Sequence, residues 1–92
     1  MNQCVRITLV VSACVPVFKR LIQKNAQKLA IEGVGSVSAP NALRIIAHGD
    51  HDAIDEFIDA LYTGCKGIRP SLIEVEPFVK DRDYRGIFRI IG

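Results

Sequence analysis

Tryptophan is absent from this 92-residue chain, methionine occurs once and tyrosine twice, so only 7% of the residues are aromatic. A surface that stacks nucleobases needs several exposed rings. Charge of one sign is equally scarce. Twelve Lys and Arg against ten Asp and Glu leave a formal net charge of +2, far from the basic stripe that a phosphate backbone demands. No nucleic-acid partner is expected. The three cysteines (Cys4, Cys14 and Cys65) are odd in number, widely spaced and without a CxxC pair, which argues against structural zinc, a thioredoxin-type redox pair and a dense disulfide framework. They read as small fillers in a chain kept in reducing, cytoplasmic surroundings. Long apolar runs are missing too. Ile7 to Val17 is interrupted by Thr8 and Ser12 and falls short of the ~20 residues of a membrane span. Lys19-Arg20 follow it with no small-residue cleavage site, so neither a membrane segment nor a leader is expected. There is no internal repeat, linker or low-complexity run.

What the chain does have is enough apolar material for one core: 49% hydrophobic residues against 24% charged. Its length predicts a single domain, residues 1–92. Cys4 to Val11 alternates, with Val5, Ile7, Leu9 and Val11 on one side, as in a half-buried strand. After Ser12–Pro16 the period lengthens. Phe18, Leu21, Ile22, Ala26 and Leu29 fall on one face of a helix over Val17–Ala30, with Gly33 as its expected stop. Val34–Ala39 and Leu43–His48 read as a hairpin around Pro40-Asn41. Asp50 or Asp52 caps a second helix striped by Ile54, Phe57, Ile58 and Leu61 and stopped at Gly64. Leu72–Val75 is a fourth strand, Asp81-Arg82-Asp83 a charged turn, and Tyr84–Ile91 a terminal strand. The order βαββαβ plus one strand predicts an α+β, ferredoxin-like split βαβ fold, with two helices on one face of an antiparallel sheet.

Few residues advertise chemistry. The Ser12–Pro16 loop opens a helix, where unsatisfied backbone N–H groups attract anions, and Lys19-Arg20 add positive charge. Cys14, near that helix start and Lys19, is the thiol most exposed to influences that lower a pKa, but no Cys/His pairing motif accompanies it. His48, Asp50 and His51 invite a metal reading, yet a strand histidine and a helix histidine need not converge, and zinc needs three or four convergent ligands. Glu74 and Glu76 share one face of a strand and read as solvated acids. The outward positions Arg6, Thr8, Val10, Arg44, Ile46 and His48 include no Phe, Tyr or Trp to stack a base.

The chain order and several spacings resemble the acylphosphatase family. The resemblance rests on Ala26-Gln-Lys-Leu29-Ala30-Ile31-Glu-Gly33, similar to the family's A-x-x-L-G-L-x-G, and on Ala47-His-Gly49-Asp50 with Ala53-Ile54 and Phe57 to Leu61, similar to its A-x-G-(D/N) helix opening. It implies hydrolysis of acyl phosphates with no metal and no cofactor, by a V-Q-G-V-x-F-R loop that cradles phosphate and an asparagine, in G-W-V-x-N, that positions water. Ala13-Cys14-Val15-Pro16-Val17-Phe18-Lys19 stand opposite the first pattern. The implied phosphate-binding loop is Cys14, Val15, Pro16, Val17, Phe18, Lys19 and Arg20. Phe18 matches, Lys19 replaces the arginine, Val15 a glycine, and Val37 the asparagine. Lysine lacks the planar fork, Pro16 has no N–H, Val15 lacks glycine's freedom at positive φ, and valine cannot hydrogen-bond water. Weak or absent catalysis is therefore expected, with residual binding of phosphate or acyl phosphate or a protein-interaction role. The alternatives are an active hydrolase using Lys19 or Arg20, or a ferredoxin-like small-ligand regulatory module. The chain is expected to be a monomer or an edge-paired homodimer.

Overall fold

A computed structural model describes residues 2–12, 15–80 and 83–91. Its elements are β1 (Asn2–Val10), α1 (Val15–Lys28), β2 (Glu32–Ala39), β3 (Ala42–Asp50), α2 (His51–Thr63), β4 (Leu72–Pro77) and β5 (Phe88–Ile91). They form one five-stranded sheet in the order β4-β1-β3-β2-β5, so the split βαβ arrangement expected from the sequence is present. The terminal strand pairs within the chain, parallel to β2, and makes the sheet mixed where the sequence suggested antiparallel throughout. Among the described residues no helix is long and apolar enough to cross a membrane.

The alternation of β1 translates directly into burial. Val5, Ile7, Leu9 and Val11 are 7, 0, 0 and 0% exposed, and Leu43, Ile45 and Ala47 of β3 lie on the same side at 1, 0 and 0%. Phe18, Ile22 and Ala26 of α1 and Ile54, Phe57 and Leu61 of α2 complete this core. Each fully buried Phe, Leu or Ile contributes about 1.5–3 kcal/mol. Phe57 and Phe88 meet edge to face, with centroids 6.3 Å apart.

The helix ends separate residues that look alike in sequence. Asp50 is extended, and its Oδ2 accepts the Asp52 N–H at 3.2 Å, which fixes it as the α2 N-cap. Gly64 stops α2 at φ 74°. For α1 the expected stop at Gly33 is corrected. The helix ends at Lys28, Ala30 takes the left-handed conformation at φ 55°, and Ile31 N–H donates to Ala26 O at 2.8 Å, the signature of a left-handed C-terminal cap. Gly33 lies inside β2, where an added Cβ would come within 1.9 Å of Ile46 O. The strand needs the missing side chain there.

The last strand starts four residues later than the alternation suggests. Asp83 Oδ1 accepts the Arg85 N–H at 2.8 Å, Ile87 N–H donates to Tyr84 O at 3.0 Å, and Arg85 and Gly86 have φ of 56° and 70°. This local turn consumes Asp83–Gly86 before pairing can begin. Asp81 and Arg82 of the expected charged turn lie outside the described residues.

Candidate functional site

The implied site begins where β1 runs out. Val10 O accepts from Ser71 N at 2.8 Å and from Ser71 Oγ at 3.2 Å, and Val11 N–H donates to Asn41 O at 2.8 Å. The end of β1 is thereby held between the head of β4 and the β2–β3 turn. Ser12 is exposed, and Cys14, with Ala13, lies outside the described residues. Helix α1 then starts at Val15. Its first turn carries no acid, so no carboxylate competes for the positive end of the helix dipole. Pro16 is exposed in that turn, and it removes one of the donors that a helix start normally offers.

The residues expected to bind phosphate divide into different environments. Val15, Val17 and Lys19 are half-buried. Phe18 is 0% exposed and its ring belongs to the core, so it can contribute to the loop only through its backbone. Lys19 and Arg20 are consecutive on the helix, and consecutive residues diverge by about 100°. Arg20 lines a separate groove with Val17, Leu21, Lys24, Cys65 and Lys66. Val37 sits on β2 opposite Leu43, just before a bulge, and packs against the core. It offers nothing to orient a water.

The other candidates have partners of their own. Arg6 donates to Glu76 Oε1 from Nε at 2.8 Å and from Nη2 at 2.6 Å, with its guanidinium 5.7 Å from the Phe78 ring centroid. Glu76 therefore joins β1 to β4 and forms no acid/base pair with Glu74. His48 and His51 do not converge. His51 Nδ1 lies 2.6 Å from Gln3 Oε1 and its Nε2 lies 3.4 Å from Asp55 Oδ2, whereas His48 Nδ1 lies 2.9 Å from Glu32 Oε1. Among the described residues, His51, Asp52 and Asp55 bring three ligand-type atoms within 4.8 Å of one another. All three are exposed on one helical turn, as solvated polar side chains commonly are.

Glu32 is the polar residue that sequence reasoning missed. Its carboxylate accepts from His48 Nδ1 at 2.9 Å, from Lys80 Nζ at 3.1 Å and from the Gly86 N–H at 3.0 Å, with the side chain only 14% exposed. The Gly86 amide, then Lys80 and His48, hold its pKa below the usual carboxylate value against an opposing effect of burial. One side chain thus ties β2, β3 and the segment leading into β5. The signal in the sequence was incomplete. A regular hairpin around Pro40-Asn41 would place Glu32 opposite Gly49, and only the bulge between Val37 and Ala39 moves it opposite His48.

Comparison with known proteins gives the fold a context. No family model matches the sequence, and no curated protein matches it. Solved structures do. An acylphosphatase from Coxiella burnetii superimposes with a TM-score of 0.85 at 22% identity over 98% of this chain and 93% of that one. An acylphosphatase from Bacillus subtilis gives 0.85 at 21% identity, with both chains fully covered. Full-length HypF, in a phosphate- and nucleotide-bound form, gives 0.81 at 22% identity over all of this chain and 12% of that one. At these identities the likeness is one of fold, and the fold is acylphosphatase-like.

Proposed function

We propose that this chain, an acylphosphatase-like domain by its fold, is a diverged member of that family that binds phosphate-bearing anions weakly at the start of α1 and hydrolyses acyl phosphates slowly or not at all. In this reading residues 1–92 act as a single domain. The N–H groups of Val15, Val17 and Phe18 face the anion together with the loop before them, and Lys19 supplies a point charge where the family uses an arginine fork. The chemistry would be orientation and electrostatic stabilisation of a phosphoryl group, with no metal and no cofactor. Cys4 and Cys65, half-buried and in no disulfide, suit a reducing, cytoplasmic setting.

One observation carries the negative half of this reading. Val37, opposite the family's water-positioning asparagine, is packed against the core. Loss of one preorganised polar group typically costs ~10²–10³ in rate, and the change from guanidinium to ammonium removes bidentate recognition as well. Arg20 is a poor substitute, because it lines another groove.

Hydrolysis of benzoyl phosphate tests the proposal. The wild-type chain should turn over no faster than buffer, or at least ~10²-fold more slowly than the Lys19→Arg/Val37→Asn double variant. Turnover by the wild type that disappears in Lys19→Ala would overturn it. Binding is read separately. Titration with inorganic phosphate should shift the amide resonances of Val15 and of Val17–Arg20, and an unmoved loop would reject the cradle.

A further inference from the structure

We infer that the groove between α1 and the turn after α2 is a second ligand site, adjoining the α1 start at Val17 and Arg20 but reaching across to Lys66, which takes a small organic anion with an apolar body. The net charge of +2 conceals a strong segregation. α1 carries Lys19, Arg20, Lys24 and Lys28 and no acid, while α2 carries Asp52, Asp55, Glu56 and Asp59 and no Lys or Arg. Arg20 and Lys24 lie four residues apart on α1, a spacing at which like charges repel. Lys66 adds a third cation from across the groove. None of these three makes an ion pair with any described residue. Three cations gathered with no ion-pair partner among the described residues raise the local concentration of anions.

The far wall is held in place. Cys65 and Ile68 exchange backbone hydrogen bonds of 3.0 and 2.9 Å around Lys66 and Gly67, whose φ values of 52° and 79° are those a two-residue type I′ turn requires. Lysine accepts a left-handed backbone at some cost, and here the turn places Cys65 and Lys66 on the wall of the groove opposite α1. Gly64 ahead of the turn tolerates no side chain, since a Cβ would lie 2.0 Å from Ile68 O.

The groove's lining defines the ligand. Val17 and Leu21, both half-buried, supply apolar surface between the cations. The volume of about 230 Å³ equals that of roughly seven or eight liquid waters and is below the range of pockets for drug-sized ligands. It suits a short-chain or single-ring carboxylate or phosphate monoester. Cys65 lines the same groove as a free thiol, which gives the site a built-in reporter.

The test uses the isosteric pair iodoacetate and iodoacetamide on the full chain, with modification of Cys65 quantified by peptide mass. The ratio of anionic to neutral alkylation, referred to the same ratio in the urea-unfolded chain, isolates steering by the folded groove. It should be raised about tenfold, fall in high salt, and decline in Arg20→Gln and Lys66→Gln, whose exposed positions leave folding intact by circular dichroism. Phenyl phosphate and hexanoate should then protect Cys65 from iodoacetamide more strongly than inorganic phosphate at equal ionic strength. A ratio equal to that of the unfolded chain, or one unchanged in both variants, overturns the site. Equal protection by inorganic phosphate overturns its apolar half. Because Cys65 is the reporter, these outcomes do not depend on amide shifts at the start of α1.

Discussion

Replacing Glu32 with alanine should loosen the far end of the sheet by an amount that can be worked from its three hydrogen bonds. Hydrogen bonds to charged groups contribute about 1.5–3 kcal/mol each where they are buried. Lys80, at 31% side-chain exposure, regains water when its partner leaves and contributes little. His48, at 18%, and the Gly86 amide lose more. A net loss of about 2 kcal/mol is expected, which lowers Tm by roughly 8–16 °C in a domain of this size. Glu32→Gln keeps one acceptor oxygen and should lose about half as much. The sign of the pH dependence follows from the lowered pKa of the folded state. The stabilisation is fully present above the unfolded value of about 4.3 and is lost as pH falls through the lower folded value. Urea denaturation of the wild type and Glu32→Gln across acidic pH checks this. The gap between them should narrow on acidification, and hydrogen exchange at Gly86 should speed up in the variant at neutral pH. A gap of full size in strong acid, or a Tm of Glu32→Ala within 2 °C of wild type where about 8 °C or more is expected, would refute the assignment of Glu32 as the tie.

Two backbone positions make opposite predictions. Ala30 occupies the left-handed cap of α1, which costs a non-glycine residue about 1 kcal/mol. Ala30→Gly should raise stability by about 0.5 kcal/mol after the larger unfolded-state entropy of glycine is deducted, seen as a higher urea midpoint with an unchanged slope. Gly33→Ala should lose about 2–3 kcal/mol, because its methyl group meets the Ile46 carbonyl and its backbone at φ 147° is strained for any side chain. A neutral result for Gly33→Ala would show that β2 moves freely there.

The legible and illegible parts of the molecule differ in kind. Burial of one face per strand and one stripe per helix leaves a period in the sequence, so Ile7, Leu9, Ile22, Ala26, Ile54 and Phe57 are assigned to the core by that period alone. The Pro40-Asn41 turn and an aspartate cap at Asp50 or Asp52 were equally readable, because each rests on local chemistry, and the structure then chose Asp50. Gly33 misled, since glycine marks both a helix stop and a close backbone approach, and only the partner strand distinguishes them. The Glu32 hub was hidden for a related reason. It depends on a bulge whose residues, Val37 to Ala39, carry no turn signature, and on Lys80 and Gly86 more than forty residues away. The groove of Arg20, Lys24, Lys66 and Cys65 was invisible because its two walls are likewise more than forty positions apart.

The register of α1 decides which residue a restored catalyst would have to change. A one-residue slip would bring Arg20 to the position of Lys19, but it would turn the helix by about 100°. Lys19, Gln23 and Gln27 would then occupy the places of Phe18, Ile22 and Ala26, which are 0, 1 and 0% exposed. Burying an unpaired ammonium costs several kcal/mol, and displacing Phe18 and Ile22 from the core costs about 1.5–3 kcal/mol for each. That total rivals the 5–15 kcal/mol by which a whole domain is stable. The helix is locked in its present register by its own core face, so Lys19 and not Arg20 keeps the position that the proposed phosphate site assigns to the family's arginine. An arginine fork has to be introduced at position 19 itself, and Lys19→Arg, unlike Val37→Asn, replaces no hydrophobic residue packed against the core.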